Sequence, residues 1–289
     1  MPANKYLVVG MNGTIGSALF SRLQATGAEV WGTTQRRNMA AEPNTIYLNL
    51  LEPASWNLEQ KFDVVFFCAG ICRMALCEED PAATRLVNID ATLQLARRLS
   101  AQGSLFVFLS TNQVFSGETP HVAGDAAYQP QNEYGRQKAE IESLLCEYCP
   151  QLAIVRLTKV VEPKMALIQN WIQQLQQSQP VQAFTDMMLA PVSLRQVVDV
   201  LMKVGEKKLT GIFQVSGAED ISYYDLANHL AKHLQCSPSL VRAANGIEAG
   251  MRKSFLPKFT TLDCSSIIAA TGEGSPHYVQ VLQECFELV

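Results

Sequence analysis

The sequence has little charge and few histidines. Charged residues make up 17% of its 289 positions, the formal net charge is −4, and only four histidines occur. It lacks a long run of lysine and arginine, which argues against a surface that binds nucleic acid. It also lacks the roughly 18 consecutive apolar residues of a membrane-spanning helix. The first residues lead directly into a strand pattern without a signal-peptide core, so we expect a cytoplasmic protein.

The eight cysteines do not form a recognisable metal-binding pattern. Cys146 and Cys149 are spaced as C-x-x-C inside a predicted helix, and Cys72 and Cys77 are five residues apart. A zinc site would need further histidines or cysteines at partner spacings, and the histidines do not supply them. We therefore expect no bound metal, and thiols that are reduced and mostly packed.

Short apolar runs alternate with helical patterns over the first two thirds of the chain. Strands are predicted at 6–10, 29–33, 45–48, 63–68, 104–109 and 152–157, and helices at 15–26, 82–101 and 133–149. Several of the strand runs are continuously apolar, which is typical of a parallel sheet covered on both faces. The pattern predicts an α/β fold with a Rossmann-type, doubly wound parallel sheet.

The alternation becomes looser after about residue 160. Helices are predicted at 166–177, 194–203 and 223–234, with a short strand at 211–215. Because no flexible linker precedes this part, we expect a smaller C-terminal lobe that is attached to the first domain. The predicted division is residues 1–160 and 161–289, with room for a strand to exchange between the two.

Three glycines follow the first predicted strand and open the first predicted helix. Glycine allows unusual dihedral angles and a close approach of a pyrophosphate to the backbone, and the helix N-terminus supplies free N–H groups. The strand before and the helix after favour nucleotide binding over a tight turn without a ligand. The cofactor contacts predicted here are Gly10, Asn12, Gly13, Thr14, Ile15 and Gly16.

The end of the second predicted strand indicates which dinucleotide binds. An NAD-binding chain would place Asp or Glu there for the ribose hydroxyls. This sequence instead has Arg36 and Arg37. Guanidinium groups suit a 2′-phosphate through forked, charge-assisted hydrogen bonds, so we predict NADP(H) over NAD(H). The alternative is that both arginines are solvated loop residues.

Tyr134 and Lys138 lie near the start of a predicted helix. Their spacing of four residues places both side chains on one helix face. A nearby ammonium would lower the tyrosine pKa and make the phenol a usable proton donor or acceptor. In isolation such a pair usually lies on a helix surface.

The order of these features resembles the extended short-chain dehydrogenase/reductase family over nearly the whole chain. The glycine turn comes first, Ser110 and Thr111 close the fifth strand, and the Tyr–Lys pair follows. The segments LSTNQVFSGE, PQNEYGRQKAEIE and VRLTKV are similar to segments of the dTDP-4-dehydrorhamnose reductases, which act on nucleotide-linked keto-sugars with NADPH.

The resemblance implies roles for individual residues. Tyr134 would be the general acid for the substrate carbonyl, Lys138 would bind the nicotinamide ribose, and Thr111 would hydrogen-bond the same carbonyl oxygen. Further implied cofactor contacts are Asn49, Leu50, Cys68, Ala69, Gly70, Ser110, Tyr134 and Lys138. The helical segments 82–101 and 133–149 suit the helix-pair interface common in this family, which predicts a homodimer.

The sequence departs from the family on the substrate side. Asn112 and Gln113 stand where the reductases carry Asp-Tyr and the related dehydratases carry Asp-Glu. Amides do not exchange protons near neutral pH, so elimination chemistry is disfavoured. We assign Arg73, Asn112 and Gln113 to substrate binding; the alternative is that the amides only fix the strand end. Leu256 stands where the reductases have an arginine.

Together these features predict an NADPH-dependent reductase of a carbonyl in a nucleotide-linked keto-sugar or a similar polar metabolite. Residues 1–160 would bind NADP and carry the Tyr–Lys pair, and residues 161–289 would bind the substrate. One alternative is a sugar-nucleotide epimerase of the same superfamily. The other is a non-catalytic, NADP-binding regulatory subunit.

Overall fold

A computed structural model of the chain describes residues 4–286. The strands are β1 Lys5–Val9, β2 Glu29–Thr34, β3 Thr45–Tyr47, β4 Val64–Phe67, β5 Leu105–Thr111, β6 Leu152–Leu157, β7 Val160–Val161, β8 Val181–Phe184, β9 Met188–Leu189, β10 Val192–Ser193, β11 Gly211–Val215, β12 Ile221–Ser222 and β13 Val241–Ala244. The helices are α1 Thr14–Ala25, α2 Met74–Glu79, α3 Pro81–Arg85, α4 Thr92–Ser100, α5 Glu133–Tyr148, α6 Ala166–Gln176, α7 Leu194–Glu206, α8 Tyr223–His233, α9 Ser265–Thr271 and α10 Tyr278–Phe286.

The central sheet has seven parallel strands in the order β11-β6-β5-β4-β1-β2-β3. All residues of β4, β5 and β6 are buried, because helices cover both faces of the sheet. The chain order reverses between β1 and β4, which opens a crevice at the carboxyl ends of these strands. The predicted doubly wound fold class is confirmed.

Two elements differ from the sequence-based expectation. β5 continues to Thr111, two residues beyond its predicted end, because Ser110 and Thr111 keep the parallel register opposite Arg156 and Leu157 of β6. The helix predicted over 82–101 contains a π-helical segment, Leu86–Ala91, between α3 and α4. Such wider turns are frequently found at functional sites.

A second group of elements forms the smaller lobe around its own apolar cluster. This cluster contains residues of α6, α8 and α10 together with the short strands β8 and β13. α7 and β11 also follow residue 160, but they pack on the central sheet, α7 against α1 and β11 beside β6. No helix within residues 4–286 is long and apolar enough to cross a bilayer.

The start of α5 lies unusually close to the end of β5. The side chain of Asn132 caps α5 by accepting a hydrogen bond from the Gly135 N–H at 2.9 Å. A Cβ atom on Gly135 would lie 2.1 Å from the carbonyl oxygen of Gln113. Glycine is therefore required at this position for the helix to approach the strand end.

We expect Gly135→Ala to destabilise the fold, because its methyl group would push α5 away from the Gln113 carbonyl. The cost should be about 2 kcal/mol, seen as a fall of about 5 °C in Tm by differential scanning fluorimetry. Gly274→Ala is the matched control, since a Cβ there meets nothing within 4 Å. Equal Tm values for the two variants would contradict the proposed close contact.

Candidate active site

The glycine turn after β1 brings the backbone of three segments together. Gly10 has a φ of 85°, and its N–H donates to the Thr33 hydroxyl at 3.0 Å. A Cβ on Gly16 would lie 2.3 Å from the Gly10 carbonyl oxygen, so only glycine lets α1 begin so close to β1. Gly13 is the N-cap of α1 and no side chain caps this helix, which leaves its N-terminus open to an anion.

The other residues predicted in this turn surround the same helix start. Asn12 and Thr14 are exposed, and Ile15 packs against the apolar cluster on one face of the sheet. The Thr14 hydroxyl donates to Glu162 at 3.1 Å. The turn thus combines free backbone N–H groups with exposed polar side chains, as a diphosphate requires.

The two arginines after β2 differ in their partners. Arg37 donates to Glu52 at 3.1 Å, and its guanidinium lies 4.3 Å from the Tyr47 ring centroid. Asn49 donates to the same carboxylate at 2.9 Å, next to half-buried Leu50. Arg36 is exposed and forms no ion pair within the described residues 4–286. Among residues 4–286, Arg36 is therefore a cation without an ion-pair partner at this end of the cleft.

The loop after β4 forms the opposite wall of the crevice. The Cys68 N–H donates to the Val9 carbonyl at 2.9 Å. Ala69 lies so close to Gly10 that a Cβ atom on Gly10 would be 3.0 Å from the Ala69 backbone nitrogen. Gly70 has a φ of 150°, which favours glycine. Burial raises the pKa of the Cys68 thiol to about 12, so this residue is a neutral thiol at physiological pH.

Asn88, in the π-helical segment, fixes this loop. Its side chain accepts from the Ile71 N–H at 2.8 Å and donates to the Ile71 carbonyl at 3.0 Å. It also donates to Gln137 of α5 at 2.9 Å. The π-helical turn therefore places the buried side-chain amide of Asn88 where it connects the β4 loop to α5, the helix that carries Tyr134 and Lys138.

Thr111, Tyr134 and Lys138 meet at the carboxyl end of β5. Lys138 is 7% exposed, and its ammonium donates to the Leu109 carbonyl at 2.9 Å and lies 4.3 Å from the Phe108 ring centroid. The Thr111 hydroxyl accepts from the Gln113 N–H at 3.2 Å. The structure thus brings the three residues predicted to be catalytic into one place, although their roles stay predictions.

The protonation states differ from the simple expectation for a Tyr–Lys pair. Burial raises the pKa of Tyr134 above its ordinary value, with the Thr111 hydroxyl opposing this effect, whereas a lowered pKa was predicted. The physical reason is that burial disfavours the charged phenolate, and this is the largest effect on the phenol. Burial lowers the pKa of Lys138 to about 8, opposed by the Glu142 carboxylate. Tyr134 is therefore a neutral phenol that can donate a proton.

Ser110 lies beside Thr111, but its hydroxyl is directed into the protein. It donates to the buried carboxylate of Glu142, and only 6% of the residue is exposed. Its assignment as a cofactor contact stays a prediction. The residue that receives its hydrogen bond was not singled out from the sequence.

The substrate-side residues are arranged around the start of α5. The Gln113 side-chain oxygen accepts from Asn132 at 2.8 Å, and Asn132 also donates to the Ser254 carbonyl at 3.3 Å. Asn112 is half-buried, and Arg73 is exposed at the N-cap of α2. One predicted substrate contact, Gln113, therefore joins the strand end to the C-terminal segment that contains Leu256.

Sequence reasoning missed three polar residues that organise the site. Glu52, Asn88 and Glu142 each connect two or more predicted site segments. Glu142 lies one turn after Lys138, a spacing of four residues that could have indicated it. Glu52 lies three residues after Asn49, but its other site partner, Arg37, and the partners of Asn88 come from more distant parts of the chain.

The arrangement can support proton transfer to a carbonyl beside a bound dinucleotide. A phenol, a hydroxyl and an ammonium converge next to a turn that is open to a diphosphate. No group of three or more His, Cys, Asp or Glu side chains within residues 4–286 is placed to hold a metal ion.

Comparison with known proteins finds relatives that are similar in sequence over most of the chain. Methionine adenosyltransferase 2 subunit beta of Xenopus tropicalis is 25% identical over 282 residues, 92% of this chain and 82% of that protein. A Streptomyces antibioticus protein named probable dTDP-4,6-dihydroxy-2-methyloxan-3-one 4-ketoreductase is 25% identical over 247 residues, 84% of this chain and 81% of that protein.

A solved structure and a family model extend over essentially the whole chain. The crystal structure of dTDP-4-dehydrorhamnose reductase from Bacillus anthracis in complex with NADP has a TM-score of 0.85 at 16% identity, covering 100% of this chain and 99% of that one, and so has the same fold. The family model described as the RmlD substrate binding domain matches residues 4–289. This chain therefore belongs to the RmlD substrate binding domain family.

Proposed function

We propose that this protein is an NADPH-dependent reductase of a carbonyl in a nucleotide-linked keto-sugar or a similar polar metabolite. The observation that carries the proposal is the convergence of Thr111, Tyr134 and Lys138 beside an open glycine turn. The similarity to a protein named as a ketoreductase supports it, as does the shared fold with a reductase that was crystallised with NADP.

The residues of the crevice fit a dinucleotide. Gly10 and Gly16 keep the turn free of Cβ atoms, and the uncapped start of α1 would hold the diphosphate. Arg36 would bind the 2′-phosphate, and Lys138 would bind the nicotinamide ribose. Bound NADPH supplies the hydride.

The chain's own residues supply the proton. With its pKa raised by burial, Tyr134 holds its proton at neutral pH and would donate it from Oη to the carbonyl oxygen of the substrate. The Thr111 hydroxyl would hydrogen-bond the same oxygen, and because it opposes the effect of burial on Tyr134 it would stabilise the phenolate that remains. Carboxylates are absent at positions 112 and 113, so this strand end does not provide acid–base groups for elimination.

We expect the purified protein to oxidise NADPH when a suitable 4-keto-sugar nucleotide is present, with product formed in equal amount. Tyr134→Phe should reduce kcat by about 100-fold or more, because general acid catalysis contributes about that factor. The measurement is NADPH absorbance against a panel of keto-sugar nucleotides. Product formation without net NADPH consumption would instead indicate an epimerase.

The cofactor preference rests on the difference between the two arginines. Arg36→Ala should weaken NADPH binding by about 10- to 100-fold and leave NADH binding nearly unchanged, because it removes a charge-assisted hydrogen bond to the 2′-phosphate. Arg37→Ala is the matched comparison and should have a smaller effect, since Glu52 already engages this guanidinium. Fluorescence titration measures both dissociation constants. Equal weakening of NADPH and NADH by Arg36→Ala would contradict the assignment.

A second candidate function is that of a non-catalytic, NADP-binding subunit of another enzyme. The specific observation in its favour is the similarity to proteins named as a beta subunit. The keto-sugar panel separates the two candidates. NADPH binding without turnover of any panel member would favour the subunit, and turnover that Tyr134→Phe abolishes would favour the reductase.

We also propose that the protein is a cytoplasmic homodimer that pairs through α4 and α5, with the smaller lobe on the substrate side. The outer face of these helices carries Tyr148, which is 40% exposed, with Arg97 4.6 Å from its ring centroid. Light scattering after size exclusion should give twice the chain mass of 31.9 kDa. A clean monomer at micromolar concentration would overturn the dimer.

A further inference from the structure

A buried ion pair lies directly behind the predicted catalytic residues. The side chains of Glu142 on α5 and Arg156 on β6 are 0% and 1% exposed. Arg156 donates from Nη2 to Oε2 of the carboxylate at 2.7 Å and from Nε to Oε1 at 3.2 Å, which makes a forked pair. A pair desolvated to this degree needs further hydrogen bonds, because the desolvation cost is large.

The structure supplies those further hydrogen bonds from several elements. Tyr128 donates from its hydroxyl to Glu142 at 3.0 Å, and Ser110 donates to the other carboxylate oxygen. Arg156 also donates to the Gly124 carbonyl at 2.7 Å. Glu142 therefore joins α5 to β5, to β6 and to the loop before α5.

Two of these connections lead into the site. Ser110 immediately precedes Thr111, so its bond to Glu142 fixes the strand residue before the predicted catalytic hydroxyl. Lys138 lies one helical turn before Glu142 on the same face of α5, and its ammonium donates to Leu109, the residue before Ser110. Two consecutive residues at the end of β5 are thus bound by two side chains of α5.

The Lys138 ammonium has few charged neighbours. Besides Glu142 on its own helix, the titratable groups that act on it are the thiols Cys68, Cys72 and Cys77 of the β4 loop and α2. Burial disfavours the ammonium, and the Glu142 carboxylate, acting through the protein, opposes this. Within the described residues, Glu142 is the carboxylate that favours the charged form of Lys138, from one helical turn away on the same face of α5.

We propose that Glu142 is a positioning residue of the site, which holds the strand end that carries Thr111 through Ser110 and keeps Lys138 protonated. If this ion pair only stabilised the fold, well-packed apolar side chains could often replace it without loss of stability. The connections of Glu142 to Ser110 and Lys138 therefore indicate a role in the site. The kinetic part of this inference rests on the proposed reductase function, but the charge part does not.

The test distinguishes the effect of the Glu142 charge from the effect of the hydrogen bond between Ser110 and Glu142. Glu142→Gln combined with Arg156→Met removes both charges but keeps an amide oxygen for Ser110. Ser110→Ala removes the hydrogen bond and keeps the ion pair. The matched control is Glu140→Gln with Arg85→Met, which removes an exposed ion pair of the same residue types from the same helix. Circular dichroism checks that each variant is folded.

The readout of charge is the pH dependence of Lys138 acetylation by acetic anhydride, followed by mass spectrometry. Removing the carboxylate destabilises the ammonium and removing the guanidinium partly offsets this, so the labelling midpoint of the charge variant should fall by about half a pH unit, and that of the other two variants should stay at the wild-type value. An unchanged midpoint in the folded charge variant would overturn this part of the proposal. Because labelling does not need turnover, the result holds whether or not the protein is a reductase.

The readout of position is steady-state kinetics. Ser110→Ala should lower kcat about tenfold and leave the KM for NADPH within about twofold, because a displaced Thr111 affects the reacting carbonyl more than cofactor binding. This variant keeps the ion pair and stays informative even where the charge variant does not fold. Wild-type kcat in Ser110→Ala would overturn the positioning role.

Discussion

The attachment of α5 to the end of β5 is the contact on which the site depends. It consists of the Lys138 ammonium on the Leu109 carbonyl, the Ser110 hydroxyl on Glu142, and the backbone of Gly135 against Gln113. All three are formed in the interior, where an unsatisfied polar group is costly. The helix therefore has one register against the strand, and that register places Tyr134 beside Thr111.

The cofactor half of the crevice is shaped by backbone, and the substrate half by amide side chains. At the glycine turn, missing Cβ atoms let β1, α1 and the β4 loop come into contact and leave room for a diphosphate. On the other side, Asn132 connects Gln113 with the C-terminal segment through hydrogen bonds. This side of the crevice is therefore shaped by side-chain hydrogen bonds.

The sequence predicted the sheet well because its strands are continuous apolar runs, and parallel strands are covered on both faces. The glycine turn and the Tyr–Lys pair were predictable because the spacing of these residues in the sequence determines how they lie in a turn or on a helix face. The direction of the Lys138 ammonium and the raised pKa of Tyr134 could not be predicted, since the first depends on the Leu109 carbonyl and the second on burial. The contacts of Asn88, and of Glu52 with Arg37, were not predicted because these partners are remote in sequence.

In the proposed reaction, the carbonyl carbon of the substrate receives a hydride from NADPH and the carbonyl oxygen receives a proton from Tyr134. The most direct test is a single turnover with NADPH carrying deuterium at both C4 positions and a keto-sugar nucleotide, analysed by mass spectrometry. We expect one deuterium on the new carbinol carbon and one oxidised cofactor for each product molecule. Product without deuterium, or deuterium retained entirely in NADPH, would contradict it.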